Sequence, residues 1–312
     1  MSDAWRRANV ITNIESTKLF TQPMALPSLS VLEVGDGEDA AALLMEHGAV
    51  VVRGVVSLAT CTETRACVNE RLRLASLEAF GEASTATEFS AAGRTPEQVD
   101  AAARYFGNVT SPVNRRDLKL ALNDEVGECV RQLLRACGPC IASILTEEAE
   151  MCELSALVSD PGAAAQPLHP DTQMSGAYAH CGLITAFIAL QDVTLETGPT
   201  EVCARSNTAE AHRALSSGAG EAEKLRSLTA AGIPAPRPTP LNAGDVMLMD
   251  SRAIHRGGAN EGGARRTLMV CTFQVPNNPA PGSTYSLLDE YAGRFRLGGF
   301  ERWRDPAAAT AL

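Results

Sequence analysis

The first half of the chain carries apolar residues at helical spacing. Alanine and leucine recur with this period over residues 59–81 and 124–151, so both segments are predicted to be helices. Residues 38–48 form a shorter candidate helix that ends on a glycine, the residue that most readily adopts the left-handed conformation found after helix ends. The valine run AVVVRGVVS at 49–57 predicts a buried strand. Residues 1–150 are therefore expected to be a mixed, largely helical region.

From residue 153 the pattern changes to short apolar runs separated by Gly, Pro, Asn and Asp. Examples are LITAFIALQDV at 183–193, GDVMLMD at 244–250 and RRTLMVCTFQV at 265–275. Short strands with frequent turns are typical of a β-sandwich or barrel, and one helical segment at 208–232 interrupts them. We predict a mainly β chain with flanking helices, built around an antiparallel jelly roll of two sheets.

The chain contains neither an internal repeat nor a long linker. A length of 312 residues is compatible with one elaborated domain. We therefore predict a single domain over 1–312. Its parts are a mixed N-terminal region to about residue 150, a β core over 151–276 and a C-terminal extension over 277–312.

Composition narrows the class of function. A hydrophobic fraction of 45% and a charged fraction of 21% are those of a soluble globular protein. The net charge of −10 and the scattered basic residues argue against nucleic-acid binding, so a small molecule is the expected partner. No run approaches the ~18 apolar residues of a membrane span. Nine cysteines without a secretory signal indicate a reduced, cytoplasmic protein, and the oligomeric state stays open.

The segment QPLHPDTQM at 166–174 carries the first candidate chemistry. It places His169 and Asp171 two positions apart, and residues i and i+2 of a strand share a face. Alone, this spacing is common by chance. A non-haem Fe(II) site needs two histidines and one carboxylate on one face of the metal, so a second histidine must come from a distant strand.

His255 is the best placed of the four remaining histidines. It follows the predicted strand at 244–250 and lies late in the sheet region. His47 lies at a predicted helix end, and His180 lies in a predicted loop. His212 falls inside the helical segment, where we expect a solvated side chain. We therefore interpret His255 as the third ligand.

The segment HRGGANEGGARR at 255–266 adds an arginine. Its glycines predict a turn between two strands. If the turn is centred between Asn260 and Glu261, His255 and Arg266 face each other across an antiparallel pair, with Cβ atoms about 5 Å apart. Arg265 would then point away. The slack of a glycine-rich loop leaves the choice between Arg265 and Arg266 open.

An arginine beside such an iron site favours one class of cosubstrate. A 2-oxo dicarboxylate can chelate iron through one carboxylate and its keto oxygen, which leaves the far carboxylate for a planar guanidinium. The molecule with this form is 2-oxoglutarate, and it leaves one iron position for dioxygen. We expect Fe(II) as cofactor and production of succinate and carbon dioxide, with ascorbate as a candidate reductant.

These motifs resemble the phytanoyl-CoA dioxygenase (PhyH) family of Fe(II)- and 2-oxoglutarate-dependent oxygenases. The matching pieces are HPD at 169–171, GPTEV at 198–202, DSRAIHRGGAN at 250–260 and the arginine eleven residues after the distal histidine. The resemblance implies a double-stranded β-helix, a cupin-like jelly roll. It also implies that His169, Asp171 and His255 bind iron and that Arg266 binds the distal carboxylate of 2-oxoglutarate.

Other pocket residues are candidates only. Lys119 could reach the cosubstrate, as an upstream lysine does in some relatives, or it could be a solvated lysine at a strand edge. Gln173 would follow Asp171 on the inward face if that strand continues. Glu201 and Arg205 could line the mouth of the pocket, although a solvated charge is the simpler interpretation for each.

Three alternatives remain open. The same ligands could hold zinc in a hydrolase, which would have no need of Arg266. A catalytically silent barrel could bind a ligand without oxidising it. The CGPC motif at 137–140 has thioredoxin spacing, but it lies within a predicted helix, so we interpret Cys137 and Cys140 as packing residues around a proline kink.

The substrate itself is open. An acyl-CoA, an amino acid and a natural product are all compatible with the motifs. Hydroxylation is the expected reaction, and desaturation or cyclisation would begin with the same hydrogen abstraction.

Overall fold

A computed structural model describes residues 9–11, 31–33, 39–82, 94–174, 180–276 and 286–302. The N-terminal region before residue 39 lies outside these ranges, apart from two short strands. Part of the predicted extension over 277–312 also lies outside them.

The described strands form two antiparallel sheets. The strands are β1 (Asn9–Ile11), β2 (Val31–Glu33), β3 (Ala49–Arg53), β4 (Arg115–Lys119), β5 (Glu150–Ser159), β6 (Leu183–Ala189), β7 (Thr200–Val202), β8 (Arg237–Pro238), β9 (Val246–Asp250), β10 (His255–Gly257) and β11 (Arg266–Gln274). The larger sheet has the order β2-β1-β3-β9-β6-β11-β5-β4, and the smaller has the order β10-β7-β8. The predicted jelly roll of two sheets is confirmed.

Helices flank this core. They are α1 (Ala40–His47), α2 (Leu58–Phe80), α3 (Pro96–Tyr105), α4 (Asp124–Leu145), α5 (Ala209–Ser216) and α6 (Glu221–Ala230), with two 3₁₀ turns at Asp289–Tyr291 and Leu297–Arg302. Among the described helices, none combines the length and the apolar content that crossing a membrane requires.

Alternation along the strands decides which side chains enter the space between the sheets. On β11, Met269, Cys271 and Phe273 belong to the large core cluster that also contains the buried residues of α4. Leu268 and Val270 belong to a second cluster, which joins the inner face of the larger sheet to Val202 of the smaller sheet, among others. Because successive strand residues point to opposite faces, even-numbered residues of β11 face the interior of the roll.

Local signals explain the helix boundaries. Gly48 ends α1 with a φ of 82°, which confirms the predicted glycine stop. The Thr95 side chain and Gln98 form a capping box at the start of α3. The predicted helix over 124–151 is shorter than expected, since α4 ends at Leu145 and β5 begins at Glu150. The helical segment at 208–232 contains two helices, α5 and α6.

The CGPC motif lies inside α4, as predicted. Cys137 and Cys140 are both buried, and Pro139 lies within the helix. Burial raises the pKa of Cys137 well above its ordinary value and that of Cys140 to about 12. Both thiols are therefore packing groups that stay protonated at neutral pH.

Candidate metal centre and cosubstrate pocket

The three predicted ligands lie together at the edge of the smaller sheet. Nε2 of His169 is 3.9 Å from Oδ1 of Asp171, and Nε2 of His255 is 3.6 Å from the same oxygen. One ligand atom from each residue can be chosen so that all three lie within 4.8 Å of one another. Two imidazoles and one carboxylate on one side of a common point match the donor set of non-haem Fe(II) enzymes.

Main-chain pairing holds the two histidines in register. The amide of His169 donates to the carbonyl of His255 at 3.0 Å, and the amide of His255 donates back at 2.9 Å. This bridge adds residue 169 to the edge of the smaller sheet beside β10. The amide of Thr172 donates to the carbonyl of Ser251 at 2.9 Å, which fixes the chain just after Asp171.

Each histidine uses its other ring nitrogen for a backbone contact. Nδ1 of His169 lies 2.8 Å from the carbonyl oxygen of Pro167, and Nδ1 of His255 lies 3.0 Å from that of Ala253. A carbonyl can only accept, so Nδ1 carries the proton in both rings. The lone pair of Nε2 then points toward the common point, which is the tautomer that a metal requires.

Electrostatics also favours a neutral imidazole at position 169. Burial lowers the pKa of His169, and the proximity of His255 lowers it further, while Asp171 opposes both effects. A metal displaces a proton from a histidine ligand, so a lowered pKa reduces the cost of binding.

A cavity of about 350 Å³ opens from this centre into the space between the sheets. Its apolar wall consists of Leu157, Leu183, Phe187, Leu268 and Val270. This volume is in the range of small-molecule sites.

Arg266 lies on the wall of this cavity and is 2% exposed. Its Nη2 donates to Oγ of Ser159 at 3.0 Å, and its Nη1 donates to the carbonyl of Gly198. Its Nε has no hydrogen-bond partner among the described residues. Burial, reinforced by the positive charge of Arg115, lowers the pKa of Arg266 to about 9.

Arg115 is a second buried guanidinium in the same cavity, and the sequence analysis missed it. It is 1% exposed, and its Nε donates to Oγ of Ser159 at 3.2 Å. Arg115, Ser159 and Arg266 face one another across β4, β5 and β11. Within the described part of the chain, no carboxylate forms an ion pair with either arginine. The RRD triplet at 115–117 was the available signal, but only strand register could show that its first arginine faces inward.

The alternative Arg265 points elsewhere. Its Nε and Nη2 contact the two carboxylate oxygens of Asp160 at 2.6 and 2.9 Å, and its Nη1 contacts Asn69. Of the two neighbouring arginines, Arg266 is the one that lines the cavity.

The predicted hairpin behind this arginine is wrong. β10 pairs with β7 in the smaller sheet, whereas β11 pairs with β5 and β6 in the larger one. The connection crosses between the sheets because its amides bind other loops: those of residues 261 and 262 donate to the carbonyl of Glu196, and that of Gly258 donates to Pro199. His255 and Arg266 therefore meet across the cavity and not across a ladder.

Two candidate pocket residues do not reach the cavity. The ammonium of Lys119 donates to the carbonyl of Ala103 at 3.0 Å, and Lys119 does not line the cavity. Gln173 is exposed, because the chain bends after Asp171 and the strand does not continue. Glu201 pairs with Arg256 at 2.7 Å and Arg205 pairs with Glu46 at 2.7 Å, and neither Glu201 nor Arg205 lines the cavity.

The expected solvation of His212 is wrong. His212 is 8% exposed, its Nε2 donates to the carbonyl of Arg252 at 2.7 Å, and its Nδ1 accepts from the amide of Met174 at 3.2 Å. This face of α5 packs inward, so the histidine joins the segment after Asp171 to the segment before His255. His180 is exposed, and His47 is buried at the end of α1; neither lines the cavity.

Comparison with known folds agrees with this architecture. The crystal structure of the non-heme alpha ketoglutarate dependent carbocyclase SnoK from nogalamycin biosynthesis superposes with a TM-score of 0.52 at 18% identity, over 79% of this chain and 87% of that one. AviO1 from Streptomyces viridochromogenes Tue57 gives 0.52 at 22% identity, over 78% and 96%. At these identities the likeness establishes the fold. A comparison with curated proteins gives no match.

A family model provides the remaining evidence. The model described as Phytanoyl-CoA dioxygenase (PhyH) matches residues 44–268, a span that includes the HPD segment, His255 and Arg266. The match covers well over half of the chain and agrees with the resemblance seen in the motifs. The chain belongs to the phytanoyl-CoA dioxygenase family and is an Fe(II)- and 2-oxoglutarate-dependent oxygenase.

Proposed function

We propose that this oxygenase hydroxylates a C–H bond of a small organic molecule. In this proposal Fe(II) is held by His169, Asp171 and His255, and 2-oxoglutarate is anchored by Arg266. The observation that carries it is the cavity itself. Three converging ligand groups form one side of it, and two buried guanidinium groups that lack a carboxylate partner among the described residues lie on another.

The donor set fits the cofactor. Two neutral imidazoles and one carboxylate bind divalent iron and leave coordination positions for other ligands. When bound, iron and cosubstrate supply the oxidising chemistry, in which 2-oxoglutarate is decarboxylated to succinate while dioxygen oxidises the substrate. The protein orients the ligands through the carbonyls of Pro167 and Ala253.

The arginine pair fits the cosubstrate. Two guanidinium groups held on one serine hydroxyl create a buried positive charge, which is costly without an anion. A carboxylate entering the cavity would accept charge-assisted hydrogen bonds from both groups. The Nε of Arg266, which lacks a partner among the described residues, supplies an unused donor for that contact.

The apolar wall suits the reacting part of the substrate. Leucine, valine and phenylalanine side chains exclude water from the space beside the metal ligands. A volume of about 350 Å³ supports a small molecule, or one part of a larger molecule, as the occupant.

A zinc hydrolase would not require the two buried arginines of this cavity. A zinc-bound water needs the three ligands and a cavity, but it needs no buried dicarboxylate anchor. Arg115 and Arg266 therefore favour the iron oxygenase. A silent binding protein would keep the same geometry, so only turnover separates it from an enzyme.

The direct test is cosubstrate turnover. Purified protein is supplied with Fe(II), 2-oxoglutarate and dioxygen, and succinate is measured with a library of small metabolites. We expect succinate from the native protein and none from the Asp171→Ala variant, with Arg265→Lys as a folded control that retains turnover. If no compound elicits succinate from protein that binds Fe(II) and 2-oxoglutarate, the silent alternative holds.

A further inference from the structure

A second charged region lies on the same cavity wall and consists of Glu153 on β5 and Asp117 on β4. Thr272 of β11 pairs with Glu153 of β5 and with Thr185 of β6. Arg266 and Thr272 are six residues apart on β11, which corresponds to roughly 20 Å along the strand. The cavity therefore has a basic end and an acidic region.

Glu153 is held by neutral hydroxyl groups. Oγ1 of Thr272 donates to Oε2 of Glu153 at 2.6 Å, and Oγ of Ser155 donates to Oε1 at 3.1 Å. Glu153 lines the cavity, and no described basic side chain forms an ion pair with it. These contacts fix the carboxyl group without neutralising it.

Asp117 is the second acidic group, and one of its oxygens is unused. Asp117 is 4% exposed and lines the cavity. Its Oδ2 accepts from the hydroxyl of Ser286, whereas its Oδ1 has no hydrogen-bond partner among the described residues. Buried polar atoms are almost always paired, so an unpaired oxygen on a carboxyl group that lines the cavity is a candidate contact for a ligand donor.

The backbone at Gly107 lies close to the carboxyl group of Asp117. A Cβ at Gly107 would collide with Oγ of Ser286 and Oδ2 of Asp117, so the contact between those two groups depends on glycine at position 107. The amide of Gly107 also donates to the carbonyl of Asp117 at 2.8 Å. Asp117 is thus fixed by the hydroxyl of Ser286, by the amide of Gly107 and by the pairing of β4 with β5.

No basic side chain in the described part of the chain forms an ion pair with either carboxyl group. Burial raises the pKa of both Asp117 and Glu153, and the neighbouring negative charge of Asp117 raises that of Glu153 further. The positive charge that acts on Asp117 is that of Lys119, whose ammonium donates to the carbonyl of Ala103 instead. A cation from outside would offset this cost.

We propose that Glu153 and Asp117 bind a protonated amine of the primary substrate, so that this oxygenase acts on an amine-bearing small molecule. The inference rests on the proposed function, because it concerns the same cavity. An ammonium has three N–H donors and a positive charge, so it can serve more than one carboxyl oxygen. A neutral hydroxyl would supply one donor to these groups but no positive charge.

The positions of the charged groups also predict where each of the two molecules binds in the cavity. The anionic cosubstrate is attracted to Arg115 and Arg266, and a cationic substrate is attracted to Glu153 and Asp117. The carbon skeleton attached to the amine then lies against the apolar wall, beside the metal ligands.

The test compares two probes of equal size, cyclohexylamine and cyclohexanol. Each is titrated into the anaerobic protein loaded with Fe(II) and 2-oxoglutarate, and binding is measured by calorimetry. We expect the amine to bind at least about tenfold more tightly than the alcohol, as charge-assisted hydrogen bonds imply. Glu153→Gln and Asp117→Asn should each remove most of this preference, whereas Glu63→Gln on the exposed face of α2 should preserve it.

Equal affinity for amine and alcohol, or a preference that survives both substitutions, would overturn the inference. The visible charge-transfer band of the Fe(II)–2-oxoglutarate complex is recorded in the same samples. A normal band without amine preference contradicts only this inference, whereas absence of the band contradicts the proposed function. If both variants fail to fold, the comparison of the two probes on the native protein decides the matter.

Discussion

Arg115 and Arg266 donate to the same hydroxyl oxygen, that of Ser159, from strands on either side of it. Two like charges are thereby held together in a buried site, an arrangement that costs free energy until an anion enters. The proximity of Arg115 is one of the causes of the lowered pKa of Arg266. In the proposed function, this pair would favour an anionic cosubstrate.

The arginine pair makes a prediction about cosubstrate affinity. Arg266→Ala should weaken binding of 2-oxoglutarate by roughly tenfold to a hundredfold, because it removes a charge-assisted contact in a buried site. Arg115→Ala should weaken it by roughly tenfold. Affinity is measured from the charge-transfer band during anaerobic titration. Arg265→Lys is the matched control, since Arg265 pairs with Asp160 outside the cavity, and an equal loss in that variant would refute the assignment.

Gly198 is predicted to be essential for the position of Arg266. Its φ is +74°, a Cβ there would collide with the backbone of residues 258 and 259, and its carbonyl accepts from Arg266. Gly198→Ala should lower the free energy of unfolding by about 1–3 kcal/mol and weaken 2-oxoglutarate binding. Gly263→Ala is the control, because a Cβ at Gly263 meets nothing within 4 Å. Thermal unfolding that is the same in both variants would contradict this role.

His212 is predicted to position the metal ligands without touching the metal. It joins the amide of Met174 to the carbonyl of Arg252, and these residues lie three positions from Asp171 and His255 respectively. His212→Ala should cost about 1–3 kcal/mol of stability and weaken Fe(II) affinity by about tenfold. His180→Ala, at an exposed histidine, is the control. Unchanged Fe(II) affinity in a folded His212→Ala variant would contradict the positioning role.

Glu153 is predicted to make stability depend on pH. Burial, assisted by the charges of Asp117 and Asp171, raises the pKa of Glu153 to about 8 in the folded protein, above its ordinary value of 4.5. The folded state then binds a proton more tightly than the unfolded state, so stability is greatest below about pH 4.5 for this group and falls as pH rises toward 8. The slope contributed is at most about 1.4 kcal/mol per pH unit.

The measurement is the melting temperature of metal-free protein between pH 5 and pH 8. Glu153→Gln should show a shallower fall over this interval than the native protein, because glutamine does not titrate. A fall of equal steepness in both proteins would show that other groups carry the dependence.

The sequence motifs predicted the three candidate metal ligands more completely than the residues that surround them. The i, i+2 spacing of His169 and Asp171 and the late histidine at 255 were sufficient to bring three donors together. The predicted position of Arg266 beside His255 assumed a hairpin that does not form, because a glycine-rich connection can cross between sheets as readily as it can form a hairpin. Which one forms depends on carbonyls elsewhere, such as that of Glu196, and these are invisible locally.

Residues whose roles depend on register or packing could not be predicted in the same way. Arg115 and Lys119 both lie on β4, and only the pairing of that strand with β5 shows which of them reaches the cavity. The prediction that Gln173 faces the cavity assumed a strand that continues past Asp171, but the chain bends there. His212 belongs to a helix with polar neighbours, and its burial arises from the packing of α5 against the segments that carry Asp171 and His255.

We propose that His169, Asp171 and His255 hold Fe(II) beside a bound 2-oxoglutarate. Its most direct test is an anaerobic titration of Fe(II) into metal-free protein with 2-oxoglutarate present, followed by the visible charge-transfer band. We expect saturation at one iron per chain in the native protein and no band in folded His255→Ala or Asp171→Ala variants. A band of undiminished intensity in those variants, or none in the native protein, would contradict it.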